Sequence, residues 1–294
     1  MFRLWCKIHS GNVADPAPYP QPQTAVASNP LGLSELAGLL DHAARGAAVD
    51  IAGMTVHLDL RNKHERDYFV RHFMGLKHPQ ADIDRLIFNE FVRPGDVVLD
   101  AGSNIGVTIA ELLEAGSSHV HAFEAVPALY ARTKAINDAR FTIYPFALGD
   151  GGGTVTIWLS LTHNQGSTID ARMVEHFAPI FGSNPDSQEV PLRRLDDACP
   201  EINFDFMKVD VEGAEAAFIR GASTTLSRYV PRAMSMELYD RFFDEAKAEA
   251  DKYFKTCRRC FILKSDYSLH MADWSEPHDD DLYHLTSPTY VFAN

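Results

Sequence analysis

The segment from Val97 to Gly106 constrains the fold of this chain more than any other part of the sequence. Its first residues, Val97-Val98-Leu99, are apolar and two are β-branched, which is typical of a strand buried on both faces of a sheet. The turn Pro94-Gly95-Asp96 precedes it, and a bend containing two glycines follows. Apolar residues then recur at helical spacing, at positions 107, 109, 110, 112 and 113. This order of strand, glycine bend and helix predicts the first unit of an open α/β sheet, which binds ligands at the carboxyl ends of its strands.

The glycine pattern of the bend indicates the kind of ligand. A dinucleotide fingerprint counted from Gly102 requires glycine at positions 104 and 107, where this sequence has Asn104 and Val107. The phosphate-binding pattern GxxxxGK[ST] is absent from the sequence. A D-x-G-x-N-x-G bend therefore favours a ligand without phosphate, although the glycines could also serve only to tighten a turn.

An acidic residue after the second predicted strand suggests a nucleoside. The strand is expected over His119 to Phe123, and Glu124 follows it, 124 − 106 = 18 positions beyond Gly106. An acid at this place can accept hydrogen bonds from both hydroxyls of a ribose. A nucleoside without phosphate in such a sheet predicts S-adenosylmethionine as the cofactor. The predicted cofactor-binding residues are Asp100, Ala101, Gly102, Ser103, Asn104, Gly106, Glu124, Ala125, Ala147 and Asp210.

Four motifs resemble the FkbM family of class I methyltransferases. They are Asp100 to Gly106, Phe123 to Pro127, Leu195-Asp196-Asp197, and the most specific one, K-x-D-x-E-G-x-E, from Lys208 to Glu215. The resemblance implies a Rossmann-like α/β sheet of about seven strands, mostly parallel with one antiparallel strand. It also implies the transfer of a methyl group to a hydroxyl of a sugar or of a polyketide-derived product.

The candidate catalytic residues are carboxylates near the ends of two later strands. Asp210 and Glu212 follow a strand predicted over Phe204 to Val209, and residues two apart point to the same side. Glu237, at the end of the next strand, could join them, and Lys208 could neutralise the acidic cluster. A hydroxyl must lose its proton as it attacks, which requires a general base or a metal ion. A requirement for a divalent metal stays open, and no residue is assigned as a metal ligand. The acidic run His278 to His284 is interpreted as a solvated loop, and Glu215 as an acid favoured by a helix dipole.

The rest of the chain divides into three predicted regions: a Pro-rich arm over 1–30, helices and a hairpin capping the core over 31–93, and the methyltransferase domain over 94–294. Within the last region we expect a third parallel strand over 141–148, helices over 216–226 and 244–254, and a closing antiparallel pair over 260–263 and 289–292. The loop His163 to Thr168 is polar, and both an ordinary surface loop and a lid near the cofactor stay open.

Composition restricts the partners. The formal net charge of −13 disfavours a nucleic-acid partner and phosphate-rich acceptors. The sequence has no apolar run of about 18 residues, so we expect no membrane-spanning segment. The first residues lack the apolar core of a secretion signal, so we expect a cytoplasmic protein. Whether it forms a homo-oligomer stays open.

A saccharide hydroxyl is the acceptor that we predict. The candidate residues of its binding site combine flat rings with amides, which suits the apolar face and the hydroxyls of a sugar; they are Trp158, Asn164, Gln165, Tyr239, Trp274 and Tyr283. Two other functions are weighed. An NAD(P)-dependent oxidoreductase is disfavoured by the glycine spacing, and a non-catalytic nucleoside-binding module by the intact acids at 100, 124, 210 and 212.

Overall fold

The structure, a computed structural model, describes residues 7–9, 46–77, 79–160, 164–182, 184–275 and 288–294. Most of the predicted arm, the run His278 to His284 with Tyr283, and His163 at the start of the polar loop lie outside the described residues. The chain divides into two compact units, Met1–Asp50 with His57–Leu76, and Ile51–Val56 with Lys77–Asn294.

The first unit contains a short antiparallel pair and a capped helix. Strand β1 (Lys7–His9) pairs with β2 (Gly46–Ile51). Helix α1 (Lys63–Met74) begins after Asn62, whose side chain accepts hydrogen bonds from the amides of residues 64 and 65. It ends at Gly75, which has the left-handed conformation common at helix ends. Strand β3 (Met54–Asp59), whose first three residues belong to the second unit, follows a two-residue turn with positive φ at both residues, 52 and 53, as expected for a hairpin.

The second unit carries the candidate site, and its elements alternate between strands and helices. In chain order they are α2 (Pro79–Phe91), β4 (Val97–Ala101), α3 (Val107–Glu114), β5 (His119–Phe123), α4 (Pro127–Lys134), β6 (Phe141–Tyr144), β7 (Ala147–Leu148), β8 (Gly153–Trp158), α5 (Ala171–His176), α6 (Ala178–Phe181), β9 (Ser187–Arg193), α7 (Leu195–Ala198), β10 (Phe206–Val209), α8 (Glu215–Gly221), α9 (Ser223–Arg228), β11 (Ala233–Glu237), α10 (Asp240–Ala250), β12 (Thr256–Ile262), β13 (Leu269–Asp273) and β14 (Thr289–Ala293).

An eight-stranded sheet in the order β13-β12-β14-β11-β10-β4-β5-β6 forms the centre of this unit. The five strands from β11 to β6 are parallel, and β14 runs antiparallel between β11 and β12. The predicted class I methyltransferase sheet is therefore confirmed, including its closing antiparallel pair. The outer strand β13, antiparallel to β12, was not predicted.

The strand order reverses between β4 and β10. From β4 the chain proceeds outward through β5 to β6, and it then returns to add β10 and β11 on the other side. Open α/β sheets bind ligands in the crevice beyond the carboxyl ends of the strands at such a point. The segments that follow β4 and β10 are the predicted glycine bend and the predicted acidic turn, so the topology brings these two motifs together.

Several predicted elements differ from those observed. The strand predicted over 260–263 is β12, which begins at Thr256, and the strand predicted over 204–209 begins at Phe206. The strand predicted over 141–148 leaves the large sheet after Tyr144, because Pro145 has no amide hydrogen for the ladder, and β7 instead joins a second sheet with β9 and β8. The helix predicted over 216–226 is divided into α8 and α9 at Ala222. Helix α10 begins at Asp240 and ends at Ala250, four residues earlier than predicted at both ends.

The core of the second unit lies against the central strands. Leu99, Phe206, Phe218 and Phe292 have no exposed surface. Phe88 of α2 packs its ring edge-on against Phe206, with 5.9 Å between the ring centroids. Within the described ranges no helix is both long and apolar enough to cross a membrane.

Candidate active site

The glycine bend after β4 packs directly on the backbone that follows β10. Gly102 has a φ of +85°, and a Cβ atom there would lie 1.9 Å from the carbonyl oxygen of Asp210. Gly106 has a φ of +88°, and its Cβ would lie 3.1 Å from Cγ2 of Thr133. Only glycine combines such φ angles with this lack of space. The amides of Gly102 and Ser103 both donate to the carbonyl of Phe123, at 3.0 and 3.1 Å, so the bend is also tied to β5.

Glu124 is bound to this bend through its carboxylate. Its Oε2 accepts a hydrogen bond from the Asn104 amide at 2.8 Å, and its Oε1 accepts one from the Val126 amide at 2.7 Å. Burial raises the pKa of Glu124 to about 7, against the opposing effect of these two bonds. Because each carboxylate oxygen can accept more than one hydrogen bond, both still have capacity for a ligand's donors. Ala125 follows directly, and Ala147, at the start of β7, is buried.

A buried lysine lies between two of the predicted acids. Lys208 is 4% exposed; its Nζ donates to Oδ2 of Asp210 at 3.0 Å and lies 3.8 Å from Oδ1 of Asp100. Burial lowers the pKa of Lys208, but the carboxylates of Asp210, Asp100 and Asp84 outweigh it and raise the pKa above the ordinary value for lysine. The ammonium thus stays protonated and holds this part of the acidic cluster together.

Asp100 itself is fully buried. Its Oδ2 accepts a hydrogen bond from the Thr108 hydroxyl at 2.6 Å, whereas Oδ1 has no hydrogen-bond partner among the described residues. Burial raises the pKa of Asp100, and Lys208 opposes the rise. The structure therefore places Asp100 beneath the bend, in contact with the start of α3.

Asp84 was not among the site residues predicted from the sequence, and its helix was assigned to the region that caps the core. Its carboxylate interacts electrostatically with Lys208, Asp210 and Asp100, and burial raises its pKa to about 6. A signal was present in the sequence. Asp84 lies three and four residues before Ile87 and Phe88, so it falls on the apolar face of α2.

Glu212 has an unusual backbone conformation. Its φ is +54°, a left-handed backbone conformation that residues other than glycine seldom adopt. The Thr168 hydroxyl donates to its carbonyl at 2.6 Å, and the Tyr239 hydroxyl donates to its Oε2 at 2.9 Å. Burial raises the pKa of Glu212 well above the usual range, and the negative charges of Asp210 and Glu237 raise it further. Glu212 therefore interacts electrostatically with both Asp210 and Glu237.

Glu215 lies in the first turn of α8, as expected from the sequence. Its Oε1 accepts hydrogen bonds from the amides of Gly213 at 3.1 Å and Val211 at 3.3 Å. The carboxylate thereby closes the turn that contains Glu212 and satisfies amides at the helix start. Burial raises the pKa of Glu215 to about 7.

The described part of the polar loop contacts both halves of this region. Asn104 Nδ2 donates to the Asn164 carbonyl at 3.0 Å, and Asn164 Nδ2 donates to Oδ1 of Asn104 at 3.1 Å. At the other end, the backbone of Thr168 pairs with that of Trp158, and the Thr168 side chain contacts Glu212. The segment from Asn164 to Thr168 therefore connects the glycine bend with the acidic turn.

The predicted acceptor residues have different surroundings. Asn164 and Tyr239 contact the site through Asn104 and Glu212, and Gln165 is exposed beside Asn164. Trp274 is 41% exposed and packs against Phe243, with 5.2 Å between the ring centroids.

The Leu-Asp-Asp motif has a structural explanation. Oδ1 of Asp196 accepts a hydrogen bond from the Thr225 amide at 2.8 Å, and Oδ2 accepts one from the Thr224 amide at 3.0 Å and one from Arg194 Nη2 at 2.9 Å. The carboxylate thus satisfies amides in the first turn of α9.

The charge of the region suits a cationic ligand. Carboxylates of Asp100, Glu124, Asp210, Glu212 and Glu237 meet at one edge of the sheet with Lys208 as their buried cation. Negative groups in a poorly solvated site attract positive charge strongly, so this set fits the sulfonium and ammonium groups of S-adenosylmethionine. Over the described ranges, no group of three or more histidine, cysteine or acidic side chains is arranged to hold a metal ion.

The chain is similar to several solved structures that are distant in sequence. An rRNA methylase from Streptococcus thermophilus is 12% identical, with a TM-score of 0.38, over 74% of this chain and 95% of that one. A TehB-like SAM-dependent methyltransferase from Corynebacterium glutamicum is 14% identical, with a TM-score of 0.38, over 79% and 96% of the two chains. A methyltransferase complexed with SAH is 11% identical, with a TM-score of 0.42, over 85% of this chain and 56% of that one. No curated protein matches the sequence.

The sequence of the site region itself identifies the family. The family model of the methyltransferase FkbM domain matches residues 100–267, more than half of the chain. The match begins at Asp100 and includes the glycine bend, Glu124 and the acidic turn. A methyltransferase family does not favour the alternative function of an NAD(P)-dependent oxidoreductase. The chain belongs to the FkbM methyltransferase family, whose members depend on S-adenosylmethionine.

Proposed function

We propose that this methyltransferase transfers the methyl group of S-adenosylmethionine to a hydroxyl of a sugar, with Glu212 as the general base. The observation that carries the proposal is the half-buried Glu212, whose carboxyl is hydrogen-bonded to Tyr239 beside Asp210 and Glu237. In its ionised form, a carboxylate with a raised pKa is a stronger base than an ordinary carboxylate and can take the proton that an acceptor hydroxyl loses.

The edge formed by the glycine bend and the acidic turn would hold the cofactor. Residues 101–104 and Gly106 would form the floor of its site, Glu124 would accept hydrogen bonds from its ribose, and Ala125 and Ala147 would border its adenine. Asp100 shapes the floor from below through Thr108 and Lys208. When bound, the cofactor supplies a methyl group on a positively charged sulfur.

Asp210 and Glu212 have different roles at the end of the site where the methyl group is transferred. Asp210, held by Lys208 at 3.0 Å, presents negative charge to the cationic part of the cofactor. Glu212 would receive the proton that the acceptor hydroxyl loses as its oxygen bonds to the methyl carbon. The bond from that carbon to sulfur would break in the same step, with S-adenosylhomocysteine as the leaving group. Glu237 supports this transfer by raising the pKa of Glu212. Holding the donor and the acceptor in line supplies much of the rate enhancement.

A saccharide is the acceptor that the surroundings support best. Tyr239 offers a ring whose hydroxyl is already oriented by Glu212, and Asn164 offers an amide beside the bend. A sugar can stack its apolar face on a ring while its hydroxyls bond to amides and carboxylates. We assign the domain to residues 94–294, and the reaction to the cytoplasm, on a surface glycan, its lipid-linked precursor or a glycosylated metabolite.

The test is methyl transfer from labelled S-adenosylmethionine to a panel of free sugars, nucleotide-linked sugars, glycolipid extracts and macrolactones. We expect labelled methyl on a sugar oxygen, and turnover about 10²–10⁴-fold lower in Glu212→Gln. Exposed Glu189, which accepts a hydrogen bond from Thr156, gives the matched control Glu189→Gln, which should react at the wild-type rate. Label found only on nitrogen or on a carboxylate would refute the proposal. If EDTA abolished activity and magnesium restored it, the carboxylates would have to be reassigned as metal ligands.

A further inference from the structure

We propose that Thr168 is a positioning residue of this enzyme. By donating its hydroxyl to the carbonyl of Glu212, it holds the left-handed turn that directs the Glu212 carboxyl toward Tyr239 and the reacting atoms. This inference depends on the proposed role of Glu212 as the base and deepens it. Thr168 was not among the site residues predicted from the sequence, where it lay in a polar loop.

The Thr168 hydroxyl is fixed both as a hydrogen-bond donor and as a hydrogen-bond acceptor. Thr168 is 1% exposed, and its Oγ1 donates to the Glu212 carbonyl at 2.6 Å while accepting from the Asp170 amide at 2.9 Å. Its backbone is fixed as well, because its amide donates to the Trp158 carbonyl at 3.0 Å and its carbonyl accepts from the Trp158 amide at 2.8 Å. The single proton of the hydroxyl therefore has one acceptor, the Glu212 carbonyl.

The turn at Glu212 needs such a support. Glu212 has a φ of +54° and Gly213 a φ of +96°, so the peptide unit between them lies in a conformation that a glutamate seldom adopts. On one side Glu215 accepts hydrogen bonds from the amides of Gly213 and Val211. Thr168 holds the carbonyl of the same turn. Without this bond the peptide unit can rotate, because glycine at 213 accepts many backbone conformations, and the carboxyl then moves away from Tyr239.

The environment of the Glu212 carboxyl gives the proposal a measurable signature. The groups that face it are Asp210 and Glu215 from its own segment, and Glu237 and Tyr239 from the end of β11 and the residues after it. Burial among these groups keeps the proton on Glu212 to a higher pH than in water. If the turn relaxes and the carboxyl reaches solvent, its pKa falls toward that of an ordinary glutamate.

The experiment compares Thr168→Val, which has nearly the same shape without the hydroxyl, with Thr168→Ser, which retains the hydroxyl. Thr156→Val is the matched control, because the Thr156 hydroxyl donates to the exposed Glu189 at 2.7 Å. The full chain without cofactor is labelled with ¹³C at the glutamate carboxyls, and the Glu212 signal, assigned by its loss in Glu212→Gln, is titrated by NMR. Thermal unfolding is followed for each variant, and Thr168→Ala replaces the valine variant if that variant does not fold.

We expect the pKa of Glu212 to fall in Thr168→Val and to stay at the wild-type value in Thr168→Ser and Thr156→Val. In the methyl-transfer assay, the valine variant should lose about 100-fold in kcat, as for a small misplacement of a catalytic group, with an unchanged KM for S-adenosylmethionine. An unchanged titration in a folded Thr168→Val, or the same fall in Thr168→Ser, would overturn the inference. The titration needs no acceptor, so it can fail while the proposed function stands, and it can be read even if the assigned acceptor is wrong.

Discussion

Glu124 provides the sharpest test of the cofactor-binding edge. In Glu124→Ala, a ribose loses two charge-assisted hydrogen bonds, each with a free energy of about 1.5–3 kcal/mol. The expected loss of binding free energy is therefore about 3–6 kcal/mol, or about 10²–10⁴-fold in the Kd for S-adenosylhomocysteine. The alanine variant also releases the amides of Asn104 and Val126, which are bound at 2.8 and 2.7 Å, so the loss should lie toward the upper end.

The pH dependence of S-adenosylhomocysteine binding distinguishes the contribution of the Glu124 charge from that of the side chain's shape. Burial raises the pKa of Glu124 to about 7, and only the ionised form accepts hydrogen bonds with both oxygens. Affinity of the wild-type chain should therefore increase as the pH rises from 6 to 8, whereas Glu124→Gln should show a much smaller dependence. Isothermal calorimetry with S-adenosylhomocysteine measures both effects, with Glu189→Gln as the control. An unchanged Kd in Glu124→Ala would refute the assignment of Glu124 to the ribose.

Two further predictions concern packing and stability. In Gly102→Ala, the new Cβ would lie 1.9 Å from the Asp210 carbonyl oxygen, so the backbone must shift. We expect about 1–3 kcal/mol of destabilisation in denaturant unfolding together with weaker binding of S-adenosylhomocysteine. A variant equal to wild type in both measurements would contradict this close approach. Burial raises the pKa of Glu111 from 4.5 to about 8 in the folded chain. The folded chain therefore binds the Glu111 proton more tightly than the unfolded chain does. This difference contributes fully to the free energy of unfolding below pH 4.5, and the contribution is lost as the pH rises toward 8. Glu111→Gln should accordingly raise the melting temperature relative to wild type at pH 8 and leave it nearly unchanged at pH 5; a larger gain at pH 5 would show that the sign is wrong.

The parts of the fold that local sequence determines were predicted correctly. The strand at Val97 to Ala101, the bend after it and the strand before Asp210 have the apolar runs and glycines that such units require. The closing antiparallel pair was also predicted, as β12 and β14, although β12 begins four residues earlier than expected. Since the topology of these sheets brings strand ends together, the proximity of the bend to Asp210 followed without knowledge of any contact.

The parts that were wrong or missed depend on contacts between distant residues. The division between α8 and α9 lies next to Gly221, where a Cβ would come within 1.8 Å of the carbonyl oxygen of Gly149. Nothing near residue 221 in the sequence indicates that close approach. Thr168 reaches Glu212 across 44 residues, and Asp84 interacts with Lys208 from another element. Burial of such polar groups is decided by the tertiary fold, and a polar loop or an amphipathic helix gives little local sign of it.

A crystal structure of the chain with S-adenosylhomocysteine tests the central claim most directly. We expect the nucleoside in the crevice beyond β4 and β10, with both ribose hydroxyls within hydrogen-bond distance of the Glu124 carboxylate. The sulfur should lie on the side of Asp210 and Glu212. A nucleoside bound elsewhere, or one in this crevice with its ribose turned away from Glu124, would contradict the account.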